Sequence, residues 1–139
     1  MAVAAGAVEQ GRTFPLPRGE DDALEDYHSP ITLCADESCL DTAELERAAR
    51  LYQMVNIKLD KTGGMTEALA LIKEAKSRGF EVMVGCMIGT SLAMAPALLL
   101  AQEAKWVDID GPLLLAKDHT NGLVYQGSTV HPSTADFWG

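Results

Sequence analysis

The stretch "VNIKLDKTGGMTEALALIKEAKSRGFEVMVGC", residues 55–86, decides the fold. It begins with an apolar run, continues with a helical segment at 66–79, and returns to an apolar run at Glu81. The helical segment aligns four apolar residues on one face, namely Ala68, Leu71, Ile72 and Ala75. Gly79 is well placed to end that helix. A strand, a helix and a strand with short connections predict parallel strands joined by a right-handed crossover.

The same rhythm continues on both sides of this unit. The four apolar runs are "ITLCADES" (31–38), "MVNIKLD" (54–60), "EVMVGCM" (81–87) and "WVDIDG" (106–111). Each repeat has the length of one βα unit in a TIM barrel or an open doubly wound sheet. We therefore predict an α/β domain over 31–118, preceded by an irregular segment over 1–30 with at most one short helix. The tail, 119–139, is predicted to form a hairpin or an extended cover around Gly127.

Two further helices are predicted between the runs. "DTAELERAARLY" (41–52) opens with an Asp41/Glu44 capping box and should bury one face, made of Leu45, Ala48, Ala49 and Tyr52. The segment from Thr90 or Ser91 is apolar almost all round, which predicts a buried helix. Its Pro96 indicates that the regular part begins close to the proline.

Composition excludes several functional classes. The 139 residues carry 20 acidic and 11 basic side chains, a formal net charge of −9, with no basic stripe, so nucleic-acid binding is not expected. The start "MAVAAGAV" lacks a cationic secretion signal, and "SLAMAPALLLA" (91–101) is too short to span a membrane. Three cysteines, an odd count, indicate reduced thiols. We expect a cytoplasmic protein that makes no contact with membranes.

Polar or small residues close every apolar run, at the strand ends where parallel α/β proteins bind ligands. Asp36 is either a ligand for a hard cation such as Mg²⁺ or a helix cap, and Asp41 already fills the capping role. Lys58 is either a catalytic base or half of a structural ion pair with Asp36 or Asp108. Lys61, by contrast, is expected to extend into solvent.

Asp108 and Asp110 lie two apart on a predicted strand and should share a face. Two like charges raise each other's pKa unless a substrate ammonium, a metal ion or Lys58 lies between them. "KTGG" (61–64) lacks the glycines of a phosphate loop before its lysine and is better explained as a turn. Cys86 has no histidine near it in sequence, so lining a pocket is favoured over nucleophilic catalysis.

Four motifs in order, "ADES" (35–38), "VNIKLDKTGG" (55–64), "VMVGCMIGTS" (82–91) and "VDIDGPLLLAKD" (107–118), resemble the C-terminal half of the enolase superfamily. Within it they are most similar to dipeptide epimerases of the muconate-lactonizing-enzyme-like subgroup, over about residues 30–139. The resemblance implies part of a TIM barrel, about its last four βα units. It also implies a Mg²⁺-dependent isomerase that moves a proton at the carbon next to a carboxylate.

Carried over position by position, the resemblance implies that Asp36 binds the metal ion and that Lys58 is an acid/base. Asp108 and Asp110 would hold the α-ammonium group of a dipeptide. The loop that contacts the substrate would contain Cys86, Met87 and Ile88.

The sequence departs from the family in several places. The metal-binding Glu of the fourth strand matches Glu9 if "EQ" sets the register, or is replaced by Thr13 if "PLP" does. The strand-three aspartate and the strand-two lysine pair have no counterpart. We therefore expect a fragment that is inactive alone and that self-associates through its open edges. Alternatives are a cycloisomerase, an o-succinylbenzoate synthase, an N-acylamino acid racemase, or a non-catalytic α/β protein.

Overall fold

The computed structural model of the protein describes residues 3–4, 11–13 and 18–137. Its regular elements follow in chain order: β1 Val3–Ala4, β2 Gly11–Thr13, β3 Thr32–Ala35, α1 Leu45–Ala48, β4 Met54–Ile57, α2 Leu59–Thr62, α3 Met65–Ser77, β5 Glu81–Val84, α4 Ser91–Leu100, β6 Trp106–Val107, β7 Val124–Gln126 and β8 Thr129–His131. Short 3-10 turns link several of them. None of the helices in these ranges is long and apolar enough to cross a membrane.

Strands β2 to β6 form one parallel sheet in sequence order. The longest pairing joins β4 to β5, from Met54 opposite Glu81 to Ile57 opposite Val84. The sheet does not close, since β2 and β6 each have one paired neighbour among the described strands. The predicted parallel α/β fold, an open part of a barrel, is confirmed. The strands are shorter than the apolar runs because the chain leaves the sheet at the polar or small residues that close each run.

The two faces of the sheet are packed differently because side chains alternate along a strand. The outward face packs against the helices in the main core, through residues such as Leu33, Val55, Ile57, Val82 and Val84. The inward face carries a separate small cluster of Cys34, Met54 and Met83, against which Trp106 packs. The next inward positions along the strands are therefore the ones that reach the rim.

Helix α3 forms as predicted. All four predicted residues, Ala68, Leu71, Ile72 and Ala75, are buried. Gly79 has φ 84°, a left-handed conformation that favours glycine. Its N–H donates to the carbonyl of Lys76, and the N–H of Phe80 donates to that of Ala75 at 3.0 Å. This pair of hydrogen bonds is a Schellman motif, which ends the helix.

The first predicted helix is shorter than expected. A 3-10 turn over Thr42–Glu44 leads into α1, and the Asp41 side chain accepts hydrogen bonds from the N–H groups of Ala43 and Glu44. Glu44 itself accepts from the N–H of Leu40, one residue before the position a capping box requires. The prediction that Ala49 is buried is wrong, because the helical period ends there and Leu51 takes the buried place.

Helix α4 contains Pro96 well inside it, so the prediction that the regular part begins near the proline is wrong. The proline removes only one hydrogen bond, to the carbonyl of Leu92. The helix can begin at Ser91 because the Asp118 carboxylate caps it from outside, accepting from the Ser91 N–H at 2.7 Å. Complete burial is also wrong, since the Leu92 and Leu99 side chains are 46% and 66% exposed.

The ends of the chain meet in a second, antiparallel sheet. Strands β7 and β8 form the predicted hairpin, and Gly127 at its turn has φ 58°. Strand β1 pairs with β8, with Val3 opposite Val130. The predicted short helix before residue 30 is a 3-10 turn over Asp21–Leu24. The division into segments 1–30, 31–118 and 119–139 stays a prediction, and the β1–β8 pairing ties the first segment to the last.

Candidate active site

A cavity of about 210 Å³ opens at the carboxyl ends of β3 to β6. It is lined by Asp36, Asn56, Lys58, Met83, Gly85, Cys86 and Asp108. Four of these residues were singled out from the sequence as site residues: Asp36, Lys58, Cys86 and Asp108. The parallel register brings them together from the ends of four strands that lie far apart in the sequence.

Asp36 is held by two lysines. The Nζ of Lys58 donates to one carboxylate oxygen of Asp36 at 2.8 Å, and the Nζ of Lys61 donates to the other at 2.7 Å. Of the two alternatives for Lys58, the structure shows the ion pair with Asp36, which places its amine at the cavity. The prediction for Lys61 is wrong. Helix α2 begins immediately after Lys58 and folds Lys61 back, so that its side chain is only 16% exposed.

Lys61 also contacts Glu37 at 2.7 Å. Burial alone would lower the pKa of Lys61, but hydrogen bonds and charges from Asp36 and Glu37 outweigh burial and raise it. Lys61 is therefore held in its charged form against the two acids of the "DES" motif.

Asp108 and Asp110 lie beyond the end of β6. The Asp108 N–H still donates to the Val84 carbonyl at 2.9 Å, whereas Asp110 begins the 3-10 turn Gly111–Leu114. The predicted strand does not continue through both acids because Pro112 forces this turn. The two carboxyl groups nevertheless stay adjacent.

Asp108 lines the cavity while Asp110 is exposed. Burial raises the pKa of Asp108, the charge of Asp110 raises it further, and Lys58 offsets only part of this.

The loop after β5 separates its three predicted residues. Cys86 lines the cavity, and burial raises the pKa of its thiol, which opposes a nucleophilic role. Met87 and Ile88 are 48% and 71% exposed and do not line this cavity. A Cβ on Gly111 would lie 2.8 Å from the Met87 carbonyl oxygen, so the loop packs closely against the chain after Asp108.

The predicted fourth-strand metal ligand is not located by the structure. Glu9 lies outside the described residues. Thr13, the alternative register, is in β2, where its Cα pairs with that of Cys34, two positions before Asp36.

Sequence reasoning missed Asn56. The residue is 4% exposed, and its Oδ1 atom has no hydrogen-bond partner in the part of the chain that the structure describes. It lies two positions before Lys58 on the same face of β4. An amide in the middle of the apolar run "MVNIKL" was the available signal.

Sequence reasoning also missed Asp21, which is 1% exposed in the segment predicted to be irregular. Its carboxylate accepts hydrogen bonds from Ser38 Oγ at 2.5 Å, Tyr52 OH at 2.6 Å and the Arg47 guanidinium at 2.9 Å. Burial alone would raise the pKa of Asp21, but these three partners lower it below its ordinary value. We call these four residues the Asp21 cluster. Since Ser38 follows Asp36 in the "DES" loop, the cluster anchors that loop.

The comparisons with known proteins agree with this geometry. Residues 15–135 match the family described as enolase C-terminal domain-like. The chain belongs to this family. The N-acetyl-D-glutamate racemase of a Pseudoalteromonas species is 52% identical over 125 residues, which are 90% of this chain and 40% of that protein. The L-Ala-D/L-Glu epimerase of Escherichia coli K12 is 48% identical over 117 residues, 84% of this chain and 36% of the relative.

Solved structures of the enolase family superpose well on the chain. An enolase family member from Agrobacterium tumefaciens, with homology to dipeptide epimerases and with bound sodium and L-Ala-L-Glu, has a TM-score of 0.89 and 52% identity over 94% of this chain and 40% of that one. The dipeptide epimerase of Cytophaga hutchinsonii, complexed with Mg and D-Ala-L-Val, has a TM-score of 0.81 and 29% identity over 88% and 36%. The chain therefore spans about two fifths of the length of these relatives or less.

The donor atoms of this enolase-type site suit a hard cation. Residues 3–4, 11–13 and 18–137 contain no group of three or more metal-binding acids, histidines or cysteines. They do provide the two oxygens of Asp36, now neutralised by two ammonium groups, and the unpaired oxygen of buried Asn56. Mg²⁺ prefers carboxylate oxygens, and the waters that it keeps can donate to nearby oxygens such as that of Asn56. The residues present fit one side of a magnesium site.

Proposed function

We propose that the chain forms the C-terminal part of the active site of a dipeptide epimerase, which transfers a proton at the α-carbon next to a carboxylate. The observation that supports this most is the shared cavity, in which the Lys58 amine lies 2.8 Å from Asp36 and Asp108 lines the same space. A movable proton donor, a cation ligand and an anionic binding group are thereby gathered at the rim where α/β barrels carry out catalysis.

In this proposal Lys58 is the acid/base, and its Nζ takes or returns the α-proton on one face of the substrate. Lys58 follows β4 directly, so the strand fixes the position of its backbone and its amine reaches the cavity. Asp36 holds Mg²⁺. When bound, Mg²⁺ neutralises the negative charge that the substrate carboxylate gains as the α-proton leaves.

Asp108, with Asp110 beside it, binds the ammonium group of the dipeptide. Burial and the charge of Asp110 raise the pKa of Asp108, and a substrate cation at this place would stabilise its charged form. Cys86 forms part of the wall, and the exposed Met87 and Ile88 contact the substrate from outside the cavity. Together these residues define the end of the site that selects the substrate.

A second candidate is racemisation of an N-acylated amino acid. It is favoured by the 52% identity to the N-acetyl-D-glutamate racemase. An N-acyl group has no positive charge, so the two candidates differ in what they require of Asp108.

The chain alone is proposed to be inactive. Among the described residues, Lys58 is the one lysine that lines the cavity. Proton transfer with inversion needs an acid/base group on each face of the substrate, so one of the two groups is missing from the described part of the chain. The sequence has no counterpart of the family's strand-two lysine pair.

A chimera tests the activity. The chain replaces the matching segment of the E. coli L-Ala-D/L-Glu epimerase, and epimerisation of L-Ala-L-Glu and racemisation of N-acetyl-glutamate are measured. We expect the chimera to epimerise the dipeptide and the separate chain to do nothing. The Asp108→Asn variant should lose dipeptide activity while N-acetyl-glutamate turnover, if present, stays. Equal losses on both substrates would contradict the ammonium role, and an inactive, folded chimera would contradict the proposed function.

Location and assembly complete the proposal. Cys34 and Cys39 are free and buried, and burial raises the pKa of each thiol to about 12, so neither thiol reacts readily. Free thiols are typical of the reducing cytoplasm, where we propose that the protein resides.

Strands β2 and β6 are open edges of the parallel sheet, and we propose that copies of the chain associate there. Size-exclusion chromatography coupled to light scattering checks the assembly.

A further inference from the structure

We propose that Asn56 belongs to the cation site, where its side-chain oxygen accepts a hydrogen bond from a water molecule of a Mg²⁺ ion held by Asp36. This inference rests on the proposed function, because it takes Asp36 to be the ligand.

The side-chain oxygen of Asn56 is buried without a hydrogen-bond partner in the described part of the chain. Asn56 is 4% exposed, yet its Oδ1 is unpaired within the described residues. The other buried polar side chains there, Asp21, Ser38 and Ser91, all have hydrogen-bond partners. An unsatisfied buried oxygen destabilises a fold, so a carboxamide retained at this place indicates a donor that arrives with a ligand.

Space made for the amide is the second observation. A Cβ on Gly85 would lie 2.5 Å from Asn56 Oδ1 and 2.9 Å from Nδ2. The backbone of Gly85 does not need glycine, since its φ lies outside the left-handed region and its N–H makes a regular hydrogen bond to Ile57 at 3.0 Å. A side chain at position 85 would therefore displace the Asn56 amide. Two strands therefore contribute to holding Asn56 in the cavity.

Position identifies the donor. Ala35 pairs with Val55, so one further step along the parallel strands places Asp36 beside Asn56. A Mg²⁺ ion on a single protein carboxylate keeps several of its waters, and these are strong hydrogen-bond donors. A neutral carboxamide oxygen can receive such a water without competing for the metal charge, as the outer partners of metal sites commonly do.

Calorimetric titration of MgCl₂ into the 139-residue chain tests the inference. Asn56→Leu removes the oxygen and keeps the size, and Gly85→Ala displaces the amide without removing it. Asp36→Asn removes the primary ligand, and Gln126→Leu makes a similar amide-to-leucine exchange on an exposed strand residue. We expect both Asn56→Leu and Gly85→Ala to raise the Mg²⁺ dissociation constant roughly tenfold. Asp36→Asn should abolish binding, and Gln126→Leu should change nothing.

Thermal unfolding in EDTA separates a ligand-facing role from a structural one. Asn56→Leu should melt at the same temperature as the parent or higher, because it removes an unpaired buried oxygen. A lower melting temperature with unchanged Mg²⁺ affinity would overturn the inference, as would a parent chain that does not bind Mg²⁺. Loss of binding in Asp36→Asn with no effect of Asn56→Leu would overturn it while leaving the proposed function intact. An Asp36→Asn variant that binds normally would count against both.

Discussion

Asp21 is buried and Asp108 is half-buried, and their surroundings have opposite effects on the pKa of each side chain. Asp21 receives hydrogen bonds from Ser38, Tyr52 and Arg47, and its pKa is lowered. Asp108 has another acid, Asp110, as its neighbour, and its pKa is raised. The first carboxylate is satisfied by three hydrogen-bond donors of the protein, whereas the charge of the second is offset only in part, by Lys58.

This contrast is the one expected between a residue that stabilises the fold and a residue that, as we propose, binds a ligand. In the Asp21 cluster the partners are Ser38, before α1, Arg47 in α1 and Tyr52 after it. Burial also raises the pKa of Tyr52 to about 12, and the Asp21 hydrogen bond adds to the rise. The cavity instead contains Asp108, whose charge Lys58 offsets only in part, and the Asn56 oxygen, which has no hydrogen-bond partner among the described residues. Functional sites are where unsatisfied groups are expected to persist.

The largest effect is expected from Asp21→Asn. The substitution removes the charge that Arg47 faces and one acceptor of a buried three-partner cluster, so it should lower the free energy of unfolding by about 3 kcal/mol. Urea denaturation measures the loss. Asp22→Asn, on the exposed adjacent residue, is the control and should change it by less than about 0.5 kcal/mol. If both variants unfolded alike, the Asp21 cluster would not hold the fold.

A smaller loss is expected from Asp118→Asn. Asp118 caps α4 from the loop before the hairpin, since it accepts from the Ser91 N–H and from the Ser91 hydroxyl, which in turn accepts from the Leu123 N–H. Losing this charged cap should cost about 1 kcal/mol, again measured in urea. Asp136→Asn, an exposed acid near the C-terminus, serves as the neutral comparison. A loss larger than that of Asp21→Asn would show that the cap, and not the Asp21 cluster, stabilises the fold most.

Asp108→Asn should act in the opposite direction. Removing one of two adjacent carboxylates relieves their repulsion, so the variant should be more stable than the parent at pH 7, by roughly a few tenths of a kcal/mol after solvent screening. Thermal unfolding at low salt gives the clearest reading, because added salt should shrink the gain. A destabilised variant would place Asp108 among the structural acids.

The two acids should also differ in their pH dependence. Because the folded-state pKa of Asp21 is depressed, its contribution is present above the ordinary value of 3.8 and lost as the pH falls through the folded pKa. The gap between the parent and Asp21→Asn should therefore close in acid. Asp108 has a raised pKa, so its unfavourable charge develops as the pH rises from 3.8 towards the folded pKa, and the gain from Asp108→Asn should appear there. Melting temperatures between pH 3 and pH 7 check both trends.

The sequence predicted the parts of the molecule that depend on local pattern. The periodicity of 66–79 gave the buried face of α3, and strand-end polarity brought Asp36, Lys58 and Asp108 to one rim. The errors arose where distant residues decide the outcome. Asp21 bonds to partners 17 to 31 positions away, and α4 begins where Asp118, 27 positions from Ser91, caps it. No local pattern contains those contacts.

Lys61 shows the same limit at short range. A lysine in "LDKTGG" has the composition of a solvent-exposed turn, and only the immediate start of α2 after Lys58 folds it over Asp36. The identity of the rim residues and the possible pairing of Lys58 with Asp36 were therefore predictable, while the second lysine on Asp36 was not.

The proposed acid/base role of Lys58 is tested most directly by exchange of the substrate α-proton in D₂O, followed by proton NMR. The exchange is measured in the chimera in which this chain replaces the matching segment of the E. coli epimerase. With L-Ala-L-Glu and with L-Ala-D-Glu, the chimera should replace the α-hydrogen of glutamate by deuterium, and Lys58→Ala should slow this at least about 10²-fold for the epimer whose α-hydrogen faces Lys58, as expected for loss of an acid/base. Lys105→Ala, at an exposed lysine that pairs with Glu81 away from the cavity, should leave the rate unchanged. Exchange at the parent rate with both epimers in a folded Lys58→Ala chimera would contradict the claim that this cavity carries out proton transfer.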